Sequence, residues 1–236
     1  HDPIDEIDAA LAAQPPAHSL HRTLYNSEAA FRRDMERVFG RHWVLAGHAA
    51  QAPEPGDWFL CEMAEESVII VRGRDGELRA FANVCRHRGS RICLKAEGRT
   101  TVLVCPYHAW AYNLDGSLRS ARHMPPEFDK GAHGLKPVHL AVIEGLVFIT
   151  LADAPLSLDT ARGAIEAAFR PYGWGEAKVA RRETYTVQAN WKLAVENYLE
   201  CYHCGPSHPE YSKLHALEQP IEQIASLRGT PNLNTW

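Results

Sequence analysis

This 236-residue chain contains no long apolar run. The longest, Gly145-Leu-Val-Phe-Ile-Thr-Leu151, is strand-sized and far short of the ~20 residues that a membrane-crossing helix needs. Blocks of like charge are also missing. Lysine and arginine total 25 against 29 aspartate and glutamate, for a net charge of −4. That balance gives neither nucleic acid nor an anionic membrane surface a patch to hold. Internal repeats and low-complexity stretches are absent. The start, His1-Asp-Pro-Ile-Asp-Glu6, has neither a positive segment nor an apolar core, so no secretory signal is expected. Histidine in first place reads as a tag remnant or a trimmed start.

What is present is ordinary globular composition, 45% hydrophobic and 23% charged, enough for one large or two modest domains. The six cysteines are interleaved with histidines. Without a signal segment, that pattern points to metal binding rather than to three disulfides, and to a reducing, cytoplasmic setting.

Residues 1–41 open with a polar, Ala/Pro-rich lead (Gln14-Pro15-Pro16). A helix follows, with Ser27 as N-cap, Phe31, Met35, Val38 and Phe39 on one face, and Gly40 as the stop. From Trp43 the period changes to short β-rich runs at 43–46, 57–62, 67–72, 78–84, 101–105, 110–114, 138–143 and 146–151. Asp75-Gly76 and Asp115-Gly116 mark tight hairpins. Together these predict a small antiparallel β domain over 42–152. Beyond Pro155 a helix is predicted over 159–169, broken by Pro171 and Gly173. A strand-like alternation covers 182–188, and a second helix covers 191–204, stopped by Gly205-Pro206. From Glu218 the tail is polar and loop-like. The expected class is α+β, with the β domain inserted into a second domain made of 1–41 and 153–236.

Two constellations carry chemistry. In the β domain, Cys85-Arg86-His87 is followed, after residues 88–104, by Cys105-Pro106-Tyr107-His108. Each half offers one Cys and one His from a hairpin-like loop. A [2Fe–2S] cluster of mixed ligation needs this set: two thiolates for one iron and two neutral imidazoles for the other, which raises the reduction potential above that of an all-Cys cluster. Gly89 lets its loop fold close, and Pro106 stiffens the other. A structural Cys2His2 zinc site uses the same ligand types, but zinc sites of that kind pair Cys with Cys and His with His, whereas here each half mixes them. Cys93 and Cys61 read as small buried hydrophobes.

The second constellation lies in Asn190-Trp-Lys-Leu-Ala-Val-Glu-Asn197-Tyr-Leu-Glu200-Cys-Tyr-His203-Cys-Gly-Pro-Ser-His208. Asn197, Glu200 and His203 are spaced by threes and share a helical face. His208 would sit about 140° further round a continuing helix at 3.6 residues per turn. Gly205-Pro206 is expected to end the helix and bring His208 back beside His203. Two such imidazoles with one carboxylate make the facial triad of non-haem Fe(II) oxygenases, which leaves positions open for O2 and substrate. Cys201-Tyr-His-Cys204 has the alternative reading of a Cys-x-x-Cys redox pair or half of a zinc site.

Asn83-Val-Cys85-Arg-His87-Arg-Gly89 with Cys105-Pro-Tyr-His108-Ala-Trp110, continued by Tyr112, Asp115 and Gly116, resembles the Rieske domain of the ring-hydroxylating oxygenase family. The later Glu-x2-His-x4-His follows it in the order of that family's large subunit. The resemblance spans about Tyr25 to Tyr211. It implies that Cys85 and Cys105 hold one cluster iron, that His87 and His108 hold the other, and that His203 and His208 bind the mononuclear iron. It also implies a helix-grip-like catalytic domain, of which 1–41 and 153–236 are expected to be the N-terminal part only. Glu200 would bridge an iron-ligand histidine and a cluster histidine of the neighbouring subunit, with Asn197 behind the ligands. The family's third iron ligand, a distant carboxylate, has no counterpart here; Glu210, Glu218 and Glu222 read as surface or loop carboxylates. The implied system is a homotrimer, or a multiple of one, fed by an NAD(P)H-dependent flavin/ferredoxin-type reductase and using O2.

Glu as the bridge is similar to the branch acting on quaternary ammonium compounds (glycine betaine, stachydrine, carnitine), in which hydroxylation of an N-methyl group releases formaldehyde. Aromatic-ring hydroxylation is the alternative. A Rieske electron carrier without catalysis and a zinc-stabilised binding module are the readings from other classes.

Overall fold

The computed structural model describes residues 3–16, 18–63, 65–199 and 203–214. The chain divides into two compact units, one of residues 33–183 and one of 1–32 with 184–236.

The 33–183 unit holds ten strands: β1 Val44–His48, β2 Asp57–Met63, β3 Glu66–Arg72, β4 Leu78–Ala82, β5 Glu97–Arg99, β6 Leu103–Val104, β7 Ala111–Tyr112, β8 Leu118–Ser120, β9 Pro137–Ile143 and β10 Leu146–Thr150. Seven of them form one antiparallel sheet in the order β1-β10-β9-β4-β3-β2-β5, and β6-β7-β8 form a small second sheet. The central strand explains the arrangement. Val68-Ile-Ile-Val71 on β3 is apolar without interruption because both of its faces are covered. Ile69 and Val71 point into one cluster with Phe81, Cys85, Cys105, Trp110 and Tyr112. Val68 and Ile70 point into another with Phe59, Ala80, Val147 and Ile149. Strand alternation thus sends every second side chain of β3 beneath the two cysteine loops. At the β3–β4 turn, Gly76 adopts φ 83° and the Asp75 side chain accepts the Glu77 N–H at 3.2 Å. Gly116, at φ 85°, leaves no room for a side chain, because a Cβ there would meet Phe81 at 2.4 Å.

In the other unit, α1 Pro3–Ala12, α2 Thr23–Asn26 and the start of α3 Glu28–Asp34 gather Ile7, Leu24 and Ala30 into a small core. A π-helical turn, Met35–Phe39, follows α3 and ends at Gly40. The remaining helices are α4 Asp159–Phe169 in the β unit, then α5 Trp191–Leu199, α6 Cys204–Ser207 and α7 Pro209–Leu214. Tyr25 donates its hydroxyl to both Glu196 carboxylate oxygens, at 2.8 and 2.9 Å, and so ties α2 to α5.

The α+β class read from the sequence is the one observed, and the eight predicted strands all have counterparts. Several expectations fail locally. The polar lead contains helix α1, whose Ile7 supplies a buried apolar anchor. The helix face of Phe31, Met35, Val38 and Phe39 is only partly covered, with none of the four buried. Short strands β5 and β8 went unpredicted because three residues leave no readable period. Residues 182–188 alternate but form no strand, since nothing among the described residues pairs with them. The predicted helix 191–204 is helical over Trp191–Leu199, residues 200–202 lie outside the described ones, and Cys204 belongs to the next helix. Gly205 and Pro206 do not stop a helix but lie within α6, where the missing proline N–H falls in a first turn that needs no donor. Among the described residues, no helix is long and apolar enough to cross a membrane.

Candidate metal centres

The two cysteine loops are built alike. In the first, the Cys85 N–H donates to Ser90 O at 2.8 Å and Gly89 N–H to Cys85 O at 3.0 Å. In the second, Cys105 N–H donates to Trp110 O at 2.8 Å and Ala109 N–H to Cys105 O at 3.0 Å. The fifth residue of each loop is left-handed: Gly89 at φ 74° and, against the usual preference, Ala109 at φ 57°. Two equivalent turns thus present Cys and His from each side of one small space.

Cys85 and Cys105 are 3% and 1% exposed, while both imidazoles stand nearer the surface. The Nδ1 atoms of His87 and His108 lie 3.1 Å apart, with their rings nearly perpendicular. Trp110 stacks on His87 at 4.8 Å between ring centroids and shields one face. Burial pushes the Cys85 thiol up, partly offset by the Tyr112 hydroxyl, 3.2 Å from its sulfur. Desolvation, then the charges of His108 and Arg88, push His87 below the ordinary imidazole range, the direction that favours a metal ligand. A thiol pair at the base and two ring nitrogens converging at the top suit a cluster whose irons take different ligands. No three His, Cys, Asp or Glu side chains among the described residues converge as ligands of a single ion would.

Two residues quoted only as part of the sequence pattern prove central. Asn83 is fully buried and makes four hydrogen bonds: it donates to Ser67 Oγ and Cys93 O, and accepts from Ile92 and Cys93 N–H, at 2.8–3.0 Å. It thereby pins the first loop to the segment that follows it. Tyr112 also accepts the Arg86 N–H at 3.0 Å, so one hydroxyl touches both the sulfur and the loop backbone. A polar Asn in the apolar run Phe81-Ala-Asn-Val84 was the available signal for the first. Nothing in the local sequence announces the second. Cys93 is buried and its thiol is pushed up to about 12, in keeping with an inert hydrophobe.

His203 and His208 bracket α6, with ring centroids 5.6 Å apart. They share the wall of a hollow of about 550 Å3 with Asn197, Tyr198, Glu210 and Tyr211. Ser207 N–H donates to His203 O and His208 N–H to Cys204 O, so the single turn of α6 sets their spacing. Glu210 is exposed on α7. Glu200, Cys201, Tyr202, Glu218 and Glu222 lie outside the described residues.

Comparison with known proteins adds the following. The Rieske [2Fe-2S] domain family matches residues 42–143, and the ring hydroxylating alpha subunit (catalytic domain) family matches 175–233. The glycine betaine monooxygenase oxygenase subunit of Chromohalobacter salexigens is 43% identical over 194 residues, covering 82% of this chain and 44% of the relative. The carnitine monooxygenase oxygenase subunit of Escherichia coli (strain K12) is 40% identical over 204 residues, covering 83% and 54%. The crystal structure of the apo form of the quaternary ammonium Rieske monooxygenase CntA superposes with a TM-score of 0.75 at 36% identity, over 80% of this chain and 57% of that one. The chain spans about half the length of the curated relatives it matches.

Proposed function

The chain belongs to the family of Rieske ring-hydroxylating oxygenase alpha subunits, and from that premise we propose that it works as the oxygenase component hydroxylating an N-methyl group of a quaternary ammonium substrate. Its cofactors are a Rieske [2Fe–2S] cluster and a mononuclear non-haem iron. The observation that carries the reading is the pair of matched loops that bring two buried thiols and two imidazoles into one space. The names of its relatives, which act on glycine betaine and carnitine, support the substrate class.

In this proposal Cys85 and Cys105 hold one cluster iron, His87 and His108 the other, and His203 and His208 the mononuclear iron. When bound, the cluster supplies electrons one at a time and the mononuclear iron supplies oxygen activation. The chain's own residues do the rest. With Cys85 as a metal-bound thiolate, which has no proton to give, the Tyr112 hydroxyl 3.2 Å away would donate to the sulfur and offset its negative charge. Trp110 keeps water from one face of His87. Asn197 and Tyr198 line the hollow beside the two histidines, where substrate would approach. Glu200 is proposed to orient His203 and a cluster histidine of the neighbouring subunit by hydrogen bonds. The working form is a homotrimer or a multiple of one, in the cytoplasm, with residues 42–152 as Rieske domain and 1–41 with 153–236 as part of the catalytic domain. Electrons come from an NAD(P)H-dependent flavin/ferredoxin-type reductase.

The test is turnover of the full-length protein with a matched reductase, NADH and O2 on a panel of betaines, carnitine and simple aromatic acids, read by mass spectrometry. A demethylated betaine with equimolar formaldehyde is expected. A hydroxylated ring without demethylation would replace the substrate class and keep the oxygenase, and a silent panel with both metals loaded would overturn the proposal. Glu200→Ala is expected to retain both metals and lose most turnover; unchanged turnover would remove its bridging role.

A further inference from the structure

We propose that Glu62, on the surface of the β2–β3 hairpin, is a positioning residue for the first cysteine loop and acts through Ser67 and Asn83. The inference rests on the function proposed above.

The two cysteine loops are anchored differently. The second lies between paired strands, β6 before it and β7 after it, with Leu103 opposite Tyr112 and Val104 opposite Ala111. The first has β4 before it, but no strand follows until β5 at Glu97–Arg99. Its exit, residues 91–93, is held by side chains instead. Asn83 Oδ1 accepts the N–H groups of Ile92 and Cys93, and Asn83 Nδ2 donates to Cys93 O and to Ser67 Oγ. Those four bonds use the whole capacity of the amide. From the same exit Arg91 reaches Glu62 Oε1, at 3.2 Å.

The direction of this chain follows from what each group can do. An amide nitrogen only donates, so the Ser67 oxygen must accept from Asn83 and place its own proton elsewhere. Glu62 Oε1 takes that proton, at 2.9 Å. Glu62 and Ser67 face each other in the β2–β3 register, which brings carboxylate and hydroxyl together. A carboxylate only accepts, and so it ends the chain. One oxygen, Oε1, receives both Ser67 and Arg91. With that acceptor removed, the Ser67 proton competes for the space beside Asn83, where both residues are buried. A buried polar network left half satisfied is destabilised throughout, not only at the group removed. The disturbance falls on residues 91–93. Through the bond from Cys85 N–H to Ser90 O it passes to the loop that carries Cys85 and His87.

The test uses the full-length, cluster-loaded protein and two readouts. One is hydrogen–deuterium exchange by mass spectrometry in the peptide that contains Ile92 and Cys93. The other is the midpoint potential and electron paramagnetic resonance signal of the cluster. In Glu62→Ala, exchange should quicken roughly tenfold, and the potential and the signal should shift. Glu62→Gln removes the charge but keeps an oxygen in the place of Oε1, and should return both readouts to the wild-type values. Ser67→Ala should reproduce Glu62→Ala, and the two combined should add nothing, because both cut one chain. Asp75→Ala breaks another exposed ion pair, with Arg79 at the β3–β4 turn, and should move neither readout. A Glu62→Ala protein with wild-type exchange and potential would overturn the proposal. Faster exchange with an unchanged potential would also overturn it, by reducing Glu62 to a structural role. So would a Glu62→Gln protein that shifts as far as Glu62→Ala, since charge and not hydrogen bonding would then be at work. A wild-type protein without a [2Fe–2S] spectrum would instead defeat the function on which the inference rests.

Discussion

The residues proposed for the cluster stand on a closed core, whereas those proposed for the iron bracket one short helix and follow a segment, 184–199, whose apolar side chains are largely open. In the β unit, Val68 to Val71 are buried on both faces of the sheet, and Asn83, Cys105 and Tyr112 are at most 1% exposed. In residues 184–199, Tyr185 and Tyr198 are 81% and 80% exposed, and Val187 and Leu199 more than half. Helix α5 has no buried residue. The difference shows two ways of fixing a ligand pair. The cysteine loops owe their position to long-range packing, with β3 beneath them and Tyr112 reaching back to Cys85. His203 and His208 owe theirs to one helical turn between them.

The largest expected effect separates the two sites. Cys105→Ser should abolish the Rieske visible and electron paramagnetic resonance signals, whereas His203→Ala should leave them intact while losing mononuclear iron by metal analysis. Loss of both metals in either variant would show that the regions are not independent. Next comes packing. Ile69→Ala, under the loops, should cost about 3 kcal/mol in urea unfolding, from lost burial plus the cavity left behind. Leu193→Ala, which is 43% exposed, should cost less than ~1 kcal/mol. Equal costs would mean that α5 is covered in the full-length protein.

Backbone strain gives a smaller effect of opposite sign. Ala109 holds the left-handed conformation that Gly89 holds in the matching loop. Ala109→Gly should therefore stabilise the protein by about 1 kcal/mol, reduced by the extra freedom glycine has when unfolded. A destabilised variant with the cluster still loaded would show that the methyl group packs usefully.

The smallest effect is electrostatic and again belongs to the β unit. The Arg99 guanidinium holds the Asp57 carboxyl below its ordinary range, and Asp57 also accepts the Glu54 N–H at 2.9 Å. A carboxylate with a lowered folded pKa adds stability that is fully present above its unfolded value of about 3.9 and is lost as pH falls through the lower, folded value. Because Arg99 is 63% exposed in its side chain, solvent screening limits the effect, and Asp57→Asn should cost about 1 kcal/mol or less at pH 7. The difference between the two proteins should shrink as pH falls below about 4. A gap that persists unchanged at low pH would assign the effect to packing.

Residue type and spacing alone were enough to single out the residues proposed for both metal sites. Ligands must sit on short loops or adjacent turns to converge, and that requirement leaves a local record in Cys-x-His, Cys-x-x-His and His-x4-His. Turn chemistry was equally legible at Asp75-Gly76 and Asp115-Gly116, because only certain residues tolerate those backbone angles. Tertiary structure alone decided what supports those ligands. Asn83 pairs with four groups up to sixteen residues away, and Tyr112 meets a sulfur twenty-seven residues earlier. Such partners are brought together by sheet register, which no local window contains. The same reason explains the strand pattern at 182–188 that forms no strand: alternation states which faces a segment would present, and only a neighbouring strand supplies the hydrogen bonds that make it one.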